Sequence, residues 1–522
     1  MLIGSDEVQH PSIFTSLPCK QITNKNIDFI KHSIELCTSS CHPLQQLKSF
    51  PTRLLDLGSV AESGCVRLIQ TKDIPEADVP SLKYAALSYC WGNTIQPKTT
   101  PENLKKRTES ISLKEMSAGQ EDQARADWEQ ESEIMDMIYA QAYITICAAS
   151  SPSCQVSFLQ RETKPILRLG LRPASSDAFE SSYLVTPCHT SMLAHGWFSA
   201  DWDETIWHTR GWTFQERALS ERLIVFGTHM IHFICSGFYS NETGYTDTCC
   251  ANNRNAGGVT LPSSLSRPVS NEVRASVFGE FRGILRSVAE ADFSRDRDRL
   301  PALAGIARRV HELTGSKYYA GCWEDNFHND LPFFISCPPP LAAANPRDLD
   351  SELYFGPSWS FVSRNSGEPV RLAYHCGPFK PQYDWIQAST TPQGRTRFGE
   401  VSWGFLKVRT KVLLTSANLE MDEGRGGRFE AEVWLGGAEV FFDGQDLKAQ
   451  CACVSNPHGD DMAWALISAR LTGERRYLLG LLLRSTGRPR EYYRIGLFKW
   501  GRFKDPGSNS PANWDTETIE II

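Results

Sequence analysis

The stretch Tyr84-Ala-Ala-Leu-Ser-Tyr-Cys-Trp-Gly92 is a compact apolar run that ends at a glycine. Such a run is typical of a central strand covered on both faces and followed by a loop. In an open α/β sheet the carboxyl ends of the strands form the ligand crevice. We therefore expect Ser88, Tyr89, Trp91 and Gly92 to lie where a binding site would be. The alternative, which the run by itself favours, is that Tyr89 and Trp91 only fill the core.

A second segment predicts an amphipathic helix that passes directly into a strand. Asp127-Trp-Glu-Gln130 has the form of a helix start, with Asp127 as the N-cap. The following positions recur every three or four residues: Trp128, Glu131, Met135, Ile138, Tyr139 and Ala142. Tyr143-Ile-Thr-Ile-Cys-Ala148 then has the composition of a strand. We interpret the stripe as core packing.

The third segment is Arg210-Gly-Trp-Thr-Phe-Gln-Glu-Arg-Ala-Leu-Ser220. On a helix, Trp212 and Glu216 are four residues apart and share one face. A carboxylate beside an indole on an inward face is unusual, because a buried glutamate is costly without a partner. Either Arg210 or Arg217 neutralises Glu216 in a plain ion pair, or Glu216 is a functional carboxylate at a crevice. Both interpretations remain open.

The chain divides into four regions by composition. Residues 1–50 are polar with one helix predicted over Ile27–Leu36, and residues 51–248 alternate strand and helix patterns as in an α/β domain. Residues 249–271 are rich in Gly, Asn, Ser and Pro and predict a linker or long loop. Residues 272–522 predict a helical segment followed by a β-rich region, with the alternating run Arg295–Arg299 as a solvated turn.

Composition and charge exclude several classes of protein. With 54 Lys and Arg against 61 Asp and Glu, the net charge is −7, which argues against a nucleic-acid binder. No apolar run approaches the ~18 residues that a bilayer span needs. The N-terminus lacks the basic start and apolar core of a secretory signal. We therefore expect a cytoplasmic protein without a membrane span.

The sixteen cysteines are expected to be reduced thiols, because the cytosol keeps them so. Cys37-Thr-Ser-Ser-Cys41-His42 hints at metal geometry, but no matching Cys/His pair follows at zinc-finger distance. We therefore predict buried free thiols and no metal site. The sequence also lacks zinc-protease, nucleophile-elbow, phosphate-loop and dinucleotide-binding motifs, so we predict no cofactor.

The three segments, in this order, resemble the fungal heterokaryon incompatibility (HET) domain family. The first matches the family block Tyr-x-x-Leu-Ser-Tyr-x-Trp-Gly, the helix from Trp128 to Ala142 matches the second half of its middle block, and Arg210–Ser220 matches its closing block. Flanking pieces are also similar to the family: Pro51–Asp56, Asp298–Leu303 and Pro357–Ser360. The resemblance implies an α/β HET domain over 51–248 with a mostly parallel sheet.

One departure from the family pattern affects this sheet. The family places a strand reading Leu-Trp-Ile-Asp-x-x-Cys-Ile-x-Gln before the Trp128 helix, whereas here Ile111–Gln123 runs straight toward Asp127. We therefore expect one internal strand to be missing, which leaves a gap in the ladder and the core. Either the gene model skipped an exon, which the intact flanks favour, or this copy is degenerate and inactive.

The resemblance implies nonself recognition between filamentous fungi, with the HET domain triggering cell death when incompatible hyphae fuse. Other incompatibility or signalling proteins are then the expected partners, and oligomerisation of the HET domain is compatible with that role. Within this role, the interpretation that competes with any enzymatic activity is a non-enzymatic signalling module whose blocks determine the fold and whose β-rich region contacts partners.

HET domains are also distantly similar to TIR domains, in which a glutamate on a helix acts on NAD. This similarity implies Glu216 as the catalytic residue, although the Trp212–Glu216 spacing differs from the TIR pattern by one residue. Ser88, Tyr89, Trp91, Gly92 and Trp212 are then the NAD-binding candidates, with Trp91 and Trp212 as stacking walls. NAD enters this scheme as a substrate, and no bound cofactor is implied.

Overall fold

The computed structural model describes two compact units, residues 1–263 and 264–522. The described residues are 2–4, 21–42, 50–58, 60–75, 77–79, 82–92, 101–112, 134–160, 167–171, 181–185, 201–202, 205–247, 269–336, 354–364, 371–374, 379–415, 421–423, 433–435, 438–442, 462–472, 475–501 and 514–522. Within them, no helix combines the length and the apolar character that crossing a membrane requires. The predicted linker at 249–271 lies almost entirely outside them, and the predicted domain boundaries stay predictions.

The first unit alternates helices and short strands, as the sequence predicts. Its helices are α1 Asn24–Ser40, α2 Val60–Ser63, α3 Pro101–Glu109, α4 134–141, α5 Ile206–Thr209 and α6 Gly211–Leu219. Its strands are β1 Leu2–Gly4, β2 Arg53–Asp56, β3 Cys65–Gln70, β4 Ala85–Ser88, β5 Ile111–Ser112, β6 Ile144–Cys147, β7 Leu167–Leu171, β8 Ser181–Val185, β9 Arg222–Phe226, β10 Ile231–Cys235, β11 Tyr239–Asn241 and β12 Thr246–Asp247.

The central sheet has the order β12-β11-β10-β9-β6-β4. The pairs β4–β6 and β6–β9 are parallel, whereas β9–β10, β10–β11 and β11–β12 are antiparallel. The expectation of a mostly parallel sheet is therefore wrong for three of the five described strand pairs. The physical reason is the short connections after β9, since a parallel pair needs a crossover of a dozen or more residues.

Strand β4 lies at the end of this sheet among the described strands, where the sequence predicts a central strand. Its burial alternates: Ala86 and Ser88 face inward, while Leu87 is 44% exposed. Ala85 to Ser88 pair directly with Ile144 to Cys147, so no gap lies between β4 and β6. Residues 113–123, where the family strand is predicted to be missing, lie outside the described residues. The start of the predicted second helix lies outside the described residues, which resume in α4 and continue into β6 as expected.

Helix α1 packs against the β9–β11 side of this sheet. Phe29, Ile30 and Ile34 contact the apolar cluster that contains β9 and β10, as the predicted helix requires, but Ile27 is 41% exposed. The fully buried positions of the helix are instead polar or thiol-bearing: Asn26, Ser33 and Cys37. Ser33 Oγ lies 3.3 Å from Ser240 Oγ, and Asn26 hydrogen-bonds Glu242.

The second unit combines helices with a large antiparallel assembly. Its helices are α7 Asn271–Glu290, α8 Pro301–Thr314 and α9 Phe327–Asp330. Its strands are β13 Tyr318–Tyr319, β14 Cys322–Trp323, β15 Phe333–Ser336, β16 Arg371–Tyr374, β17 Lys380–Pro381, β18 Tyr383–Pro392, β19 Val401–Thr415, β20 Met421–Glu423, β21 Val433–Leu435, β22 Ala438–Phe442, β23 Met462–Thr472, β24 Arg475–Ser485, β25 Glu491–Gly501 and β26 Asp515–Ile521.

Five of these strands close into a barrel in the order β19-β23-β24-β25-β26 and back to β19. The closing seam is the short parallel pair β25–β26, and the other four pairs are antiparallel. Leu481, Leu497 and Ile519 are fully buried in these strands. The predicted β-rich region is therefore confirmed, and closure leaves these five strands without a free edge.

The family-like segment Asp298–Leu303 of the second unit has a structural role. Arg299 is 1% exposed, and its Nη1 donates to the carbonyls of Val288, Ala289 and Ala291 at 2.8–3.2 Å, so it caps the end of α7. The prediction of a solvated turn at Arg295–Arg299 is wrong for this residue, because the orphaned carbonyls at a helix end attract a guanidinium.

Candidate functional site

The end of β4 and the middle of α6 meet at a buried polar point. Ser88, the last residue of β4, is 1% exposed, and Glu216 is 8% exposed. Trp207 Nε1 of α5 donates to Ser88 Oγ at 2.7 Å. Because the serine hydroxyl accepts this bond, its own proton remains available for the Glu216 carboxyl group, whose pKa Ser88 lowers.

The electrostatic state of Glu216 is set by opposing effects. Burial raises its pKa from 4.5 to about 7, while the contacts with Ser88, Arg210 and Tyr139 act to lower it. Its Oε2 atom is buried and has no hydrogen-bond partner among the described residues. The carboxyl group is therefore poised between its two protonation states near neutral pH, with one oxygen unused by the fold.

Tyr139 joins this point from α4. Its phenol lies against Glu216 and also donates to the Leu87 carbonyl at 3.3 Å, while the Tyr84 phenol donates to the Ile138 carbonyl at 2.5 Å. Burial and then the Glu216 charge raise the pKa of Tyr139 well above its usual value. These bonds fix α4 on β4 and hold the phenol as a neutral donor.

Arg210 connects the buried carboxyl group to the surface. It precedes α6, its charge lowers the pKa of Glu216, and it lies against the Cys90 thiol. Its guanidinium carbon is 5.7 Å from the ring centroid of Trp91, a cation–π distance, and Trp91 is 39% exposed. Trp91 and Glu216 are therefore linked through Arg210.

The other predicted site residues are placed differently. Tyr89 is within electrostatic range of Glu216 and Arg210, and burial raises its pKa to about 12. Gly92 has φ +76°, and a Cβ there would lie 2.6 Å from Ser153 Cβ, so its role is a tight turn. Trp212 is half-buried in the first turn of α6. Of the six candidates, Ser88 and Glu216 are brought into direct contact, and Tyr89 lies within electrostatic range of Glu216.

Arg217, the alternative partner predicted for Glu216, is engaged on the other side of α6. Its Nη1 lies 2.7 Å from His208 Nδ1, and its guanidinium carbon is 5.8 Å from the Trp207 ring and 5.3 Å from the Phe214 ring. Burial, and then the Arg217 charge, lower the pKa of His208 to about 3. The imidazole is therefore neutral and able to accept from Arg217.

Two residues of this cluster were missed in the sequence. Tyr139 was interpreted only as core packing, and Trp207 lies outside the family blocks. The signal that pointed to Tyr139 was its place on the inward stripe of α4, five residues before Ile144, the first residue of strand β6. Trp207 carried no local signal beyond its residue type.

The structure also brings together sulfur and nitrogen donors in a region for which the sequence predicts free thiols and no metal site. Cys37, His42 and Cys235 each offer one donor atom within 4.8 Å of the others, and all three are buried. The prediction of no metal site relied on local spacing, and Cys235 lies far from Cys37 along the chain. Among the described residues, these three side chains form the group whose donor atoms lie close enough together to hold a metal ion.

Comparison with known proteins gives one match. The model of the family described as heterokaryon incompatibility protein (HET) matches residues 115–216, a range that ends at Glu216 and begins after the Ser88 block. No curated protein and no solved structure matches the chain. The matched range includes α4, β6 and most of α6, the elements that carry Tyr139 and Glu216. The chain therefore carries a heterokaryon incompatibility domain.

Proposed function

We propose that this chain acts in heterokaryon incompatibility, as a nonself-recognition and cell-death signalling protein of a filamentous fungus. The observation that carries the proposal is the family match over residues 115–216. The convergence of Ser88, Tyr139 and Glu216 supports it, because these residues come from three separate blocks of the family pattern and meet at one buried point. Other incompatibility proteins are the partners that this role requires.

The test is induced expression of the full chain in a filamentous fungus, with dye-permeable cells counted over time. We expect the wild type to kill and Glu216→Gln to kill less, because the neutral amide removes the titrating group. Glu62→Gln is the matched control, since Glu62 is exposed in the same unit. If the wild-type protein accumulates and the cells survive, the proposal is contradicted. If Glu216→Gln kills as many cells as the wild type, Glu216 has no part in the activity.

A second candidate function is cleavage of NAD at the same cluster. The observation that favours it is a buried carboxyl group with an unpartnered oxygen beside the Arg210–Trp91 pair. In this reaction the bond between ribose C1′ and the nicotinamide nitrogen breaks, its electron pair leaves with nicotinamide, and water adds to C1′ to give ADP-ribose and a proton. Ionised Glu216 stabilises the oxocarbenium-like transition state.

Release of nicotinamide by the purified full chain tests this candidate. We expect the rate to rise with pH through about 7, because the carboxylate form of Glu216 acts and its pKa is raised to about 7. Glu216→Gln should abolish release while its unfolding midpoint is no lower than that of the wild type, and Glu62→Gln should retain release. Absence of release from the wild type leaves the non-enzymatic signalling module as the supported class.

The remaining alternative is an inactive copy or a skipped exon. A transcript read across Leu113 to Asp122 separates these two, because a skipped exon restores the Leu-Trp-Ile-Asp strand of the family pattern. A contiguous read, combined with no killing, supports a degenerate member.

A further inference from the structure

A cluster of sulfur and nitrogen donors lies where α1 meets the end of β10, separate from the residues around Glu216. Cys37 is in the last turns of α1, His42 follows the helix, and Cys235 ends β10. Cys37 Sγ is 3.3 Å from His42 Nδ1, and the three donor atoms lie within 4.8 Å of one another. Tetrahedral zinc with bonds of ~2.0–2.3 Å separates its ligand atoms by roughly 3.5–3.8 Å. Small side-chain adjustments therefore bring these donors to zinc geometry.

His42 is oriented as a metal-binding histidine is. Its Nε2 lies 2.7 Å from Ser236 Oγ, while its Nδ1 faces Cys37. Metal-bound histidines use their second nitrogen in this way, because the outer hydrogen bond fixes the tautomer and the ring orientation. When Nε2–H of His42 donates to Ser236 Oγ, Nδ1 carries the lone pair that a metal ion requires.

Cys41 is a candidate for a fourth donor, although its sulfur lies outside the group of three. Cys41 Sγ and Cys235 Sγ lie 2.2 Å and 3.8 Å from the position that a Cβ would take on Gly237, and Cys41 Sγ is 3.9 Å from Ser40 Oγ. Because Gly237 has no side chain, it leaves space for the half-buried Cys41 side chain to turn toward Cys235. Three sulfurs and one nitrogen form a donor set that suits zinc.

A buried cation lies beside such a site. Three thiolates and Zn²⁺ carry a net charge of −1. The Arg222 guanidinium, 3% exposed, donates to the carbonyls of His42 and Tyr143 and also pairs with Glu221 Oε2 at 3.7 Å. Its positive charge next to the His42 backbone therefore offsets part of the negative charge of the ligands.

We propose that Cys37, Cys41, His42 and Cys235 bind one zinc ion that fastens helix α1 to the sheet of the HET domain. Cys37 and Cys235 lie within the apolar cluster of β9 and β10, and four protein ligands leave no open position. The ion is therefore structural and not catalytic. It also joins a segment that lies well before the matched range, 115–216, to strand β10.

The first test is the zinc content of the purified full chain. We expect one zinc ion per chain in the wild type and loss of zinc in Cys37→Ala and Cys235→Ala. Cys147→Ala is the matched control, since Cys147 is fully buried in the same unit and outside the cluster. Wild-type protein without zinc, or Cys37→Ala with a full complement, overturns the proposal. A disulfide between Cys37 and Cys235 in a non-reducing peptide map overturns it as well.

Two further measurements keep the proposal testable if the alanine variants fail to fold. Ser236→Ala should fold and weaken zinc binding by roughly 10–100-fold in a chelator competition, because the outer hydrogen bond of His42 is lost. Unchanged affinity contradicts the assigned role of His42. Replacement of zinc by Co²⁺ should give the absorption of three thiolate ligands, reduced to two in Cys41→Ser. An identical spectrum in that variant removes Cys41 from the site.

Discussion

Glu216 retains a raised pKa even though Ser88, Arg210 and Tyr139 all act to lower it. The cost of burying the charged carboxylate thus exceeds the stabilisation from these three contacts. A carboxyl group that only completed the fold would be expected to have its oxygens satisfied, whereas Oε2 has no partner among the described residues. Burial of Glu216 therefore lowers the stability of the folded chain at neutral pH, and it also gives the carboxyl group a pKa in that range.

This cost gives a pH dependence with a definite sign. The folded pKa of about 7 lies above the ordinary 4.5, so the folded state holds a proton that the unfolded state has released between these values. The contribution of Glu216 to the free energy of unfolding is therefore greatest below about pH 4.5 and is lost as pH rises to about 7. The integrated change is about 3 kcal/mol.

Glu216→Gln should remove this dependence. We expect the variant to gain stability over the wild type at pH 8 and to show little difference at pH 5, since its side chain is neutral at both. The unfolding midpoint of the full chain at the two pH values measures this. Glu62→Gln should shift neither value, and a Glu216→Gln effect that is equal at both pH values contradicts the raised pKa.

At the scale of elements, the sequence predicted which segments form strands better than it predicted which strands pair with one another. The run Tyr84–Gly92 does contain strand β4, and the region predicted to be β-rich does contain the strands of the barrel. The edge position of β4 could not be predicted, because apolar alternation in one segment does not reveal which strands pair with it. The polar buried face of α1 was missed for the same reason: Asn26 and Ser33 are satisfied by distant residues.

Gly480 in β24 is the position where the barrel depends most clearly on a missing side chain. A Cβ there would lie 2.3 Å from Phe498 Cζ and 2.3 Å from the Ala465 carbonyl oxygen. Since Phe498 is fully buried and the carbonyl belongs to the backbone, neither is free to move away. We expect Gly480→Ala to destabilise the second unit by about 1–3 kcal/mol.

Denaturant unfolding followed by tryptophan fluorescence measures this loss. Gly394→Ala is the control, because a Cβ on Gly394 meets nothing within 4 Å and this glycine is exposed. Equal stability of the two variants contradicts the packing assigned to Phe498.

At the scale of the whole molecule, the candidate site was largely predictable and the proposed metal site was not. Ser88 and Glu216 lie in segments whose residues are unusual by themselves, a polar end to an apolar run and a carboxylate beside an indole. The donors of the second cluster become related only when β10 returns beside α1, which places Cys235 next to Cys37. Rules based on the spacing of ligands in the sequence do not predict a site whose ligands lie far apart along the chain.

Because β26 closes the barrel, it constrains the order in which the two units fold during synthesis. Strands β19 and β26 pair across a long intervening segment, and such distant pairings form slowly. The barrel cannot close until residues 515–522 have left the ribosome, whereas residues 1–263 are released earlier, by on the order of tens of seconds at typical rates of translation. Each newly made molecule therefore passes through an interval in which all of residues 1–263 have been released and the barrel is still open.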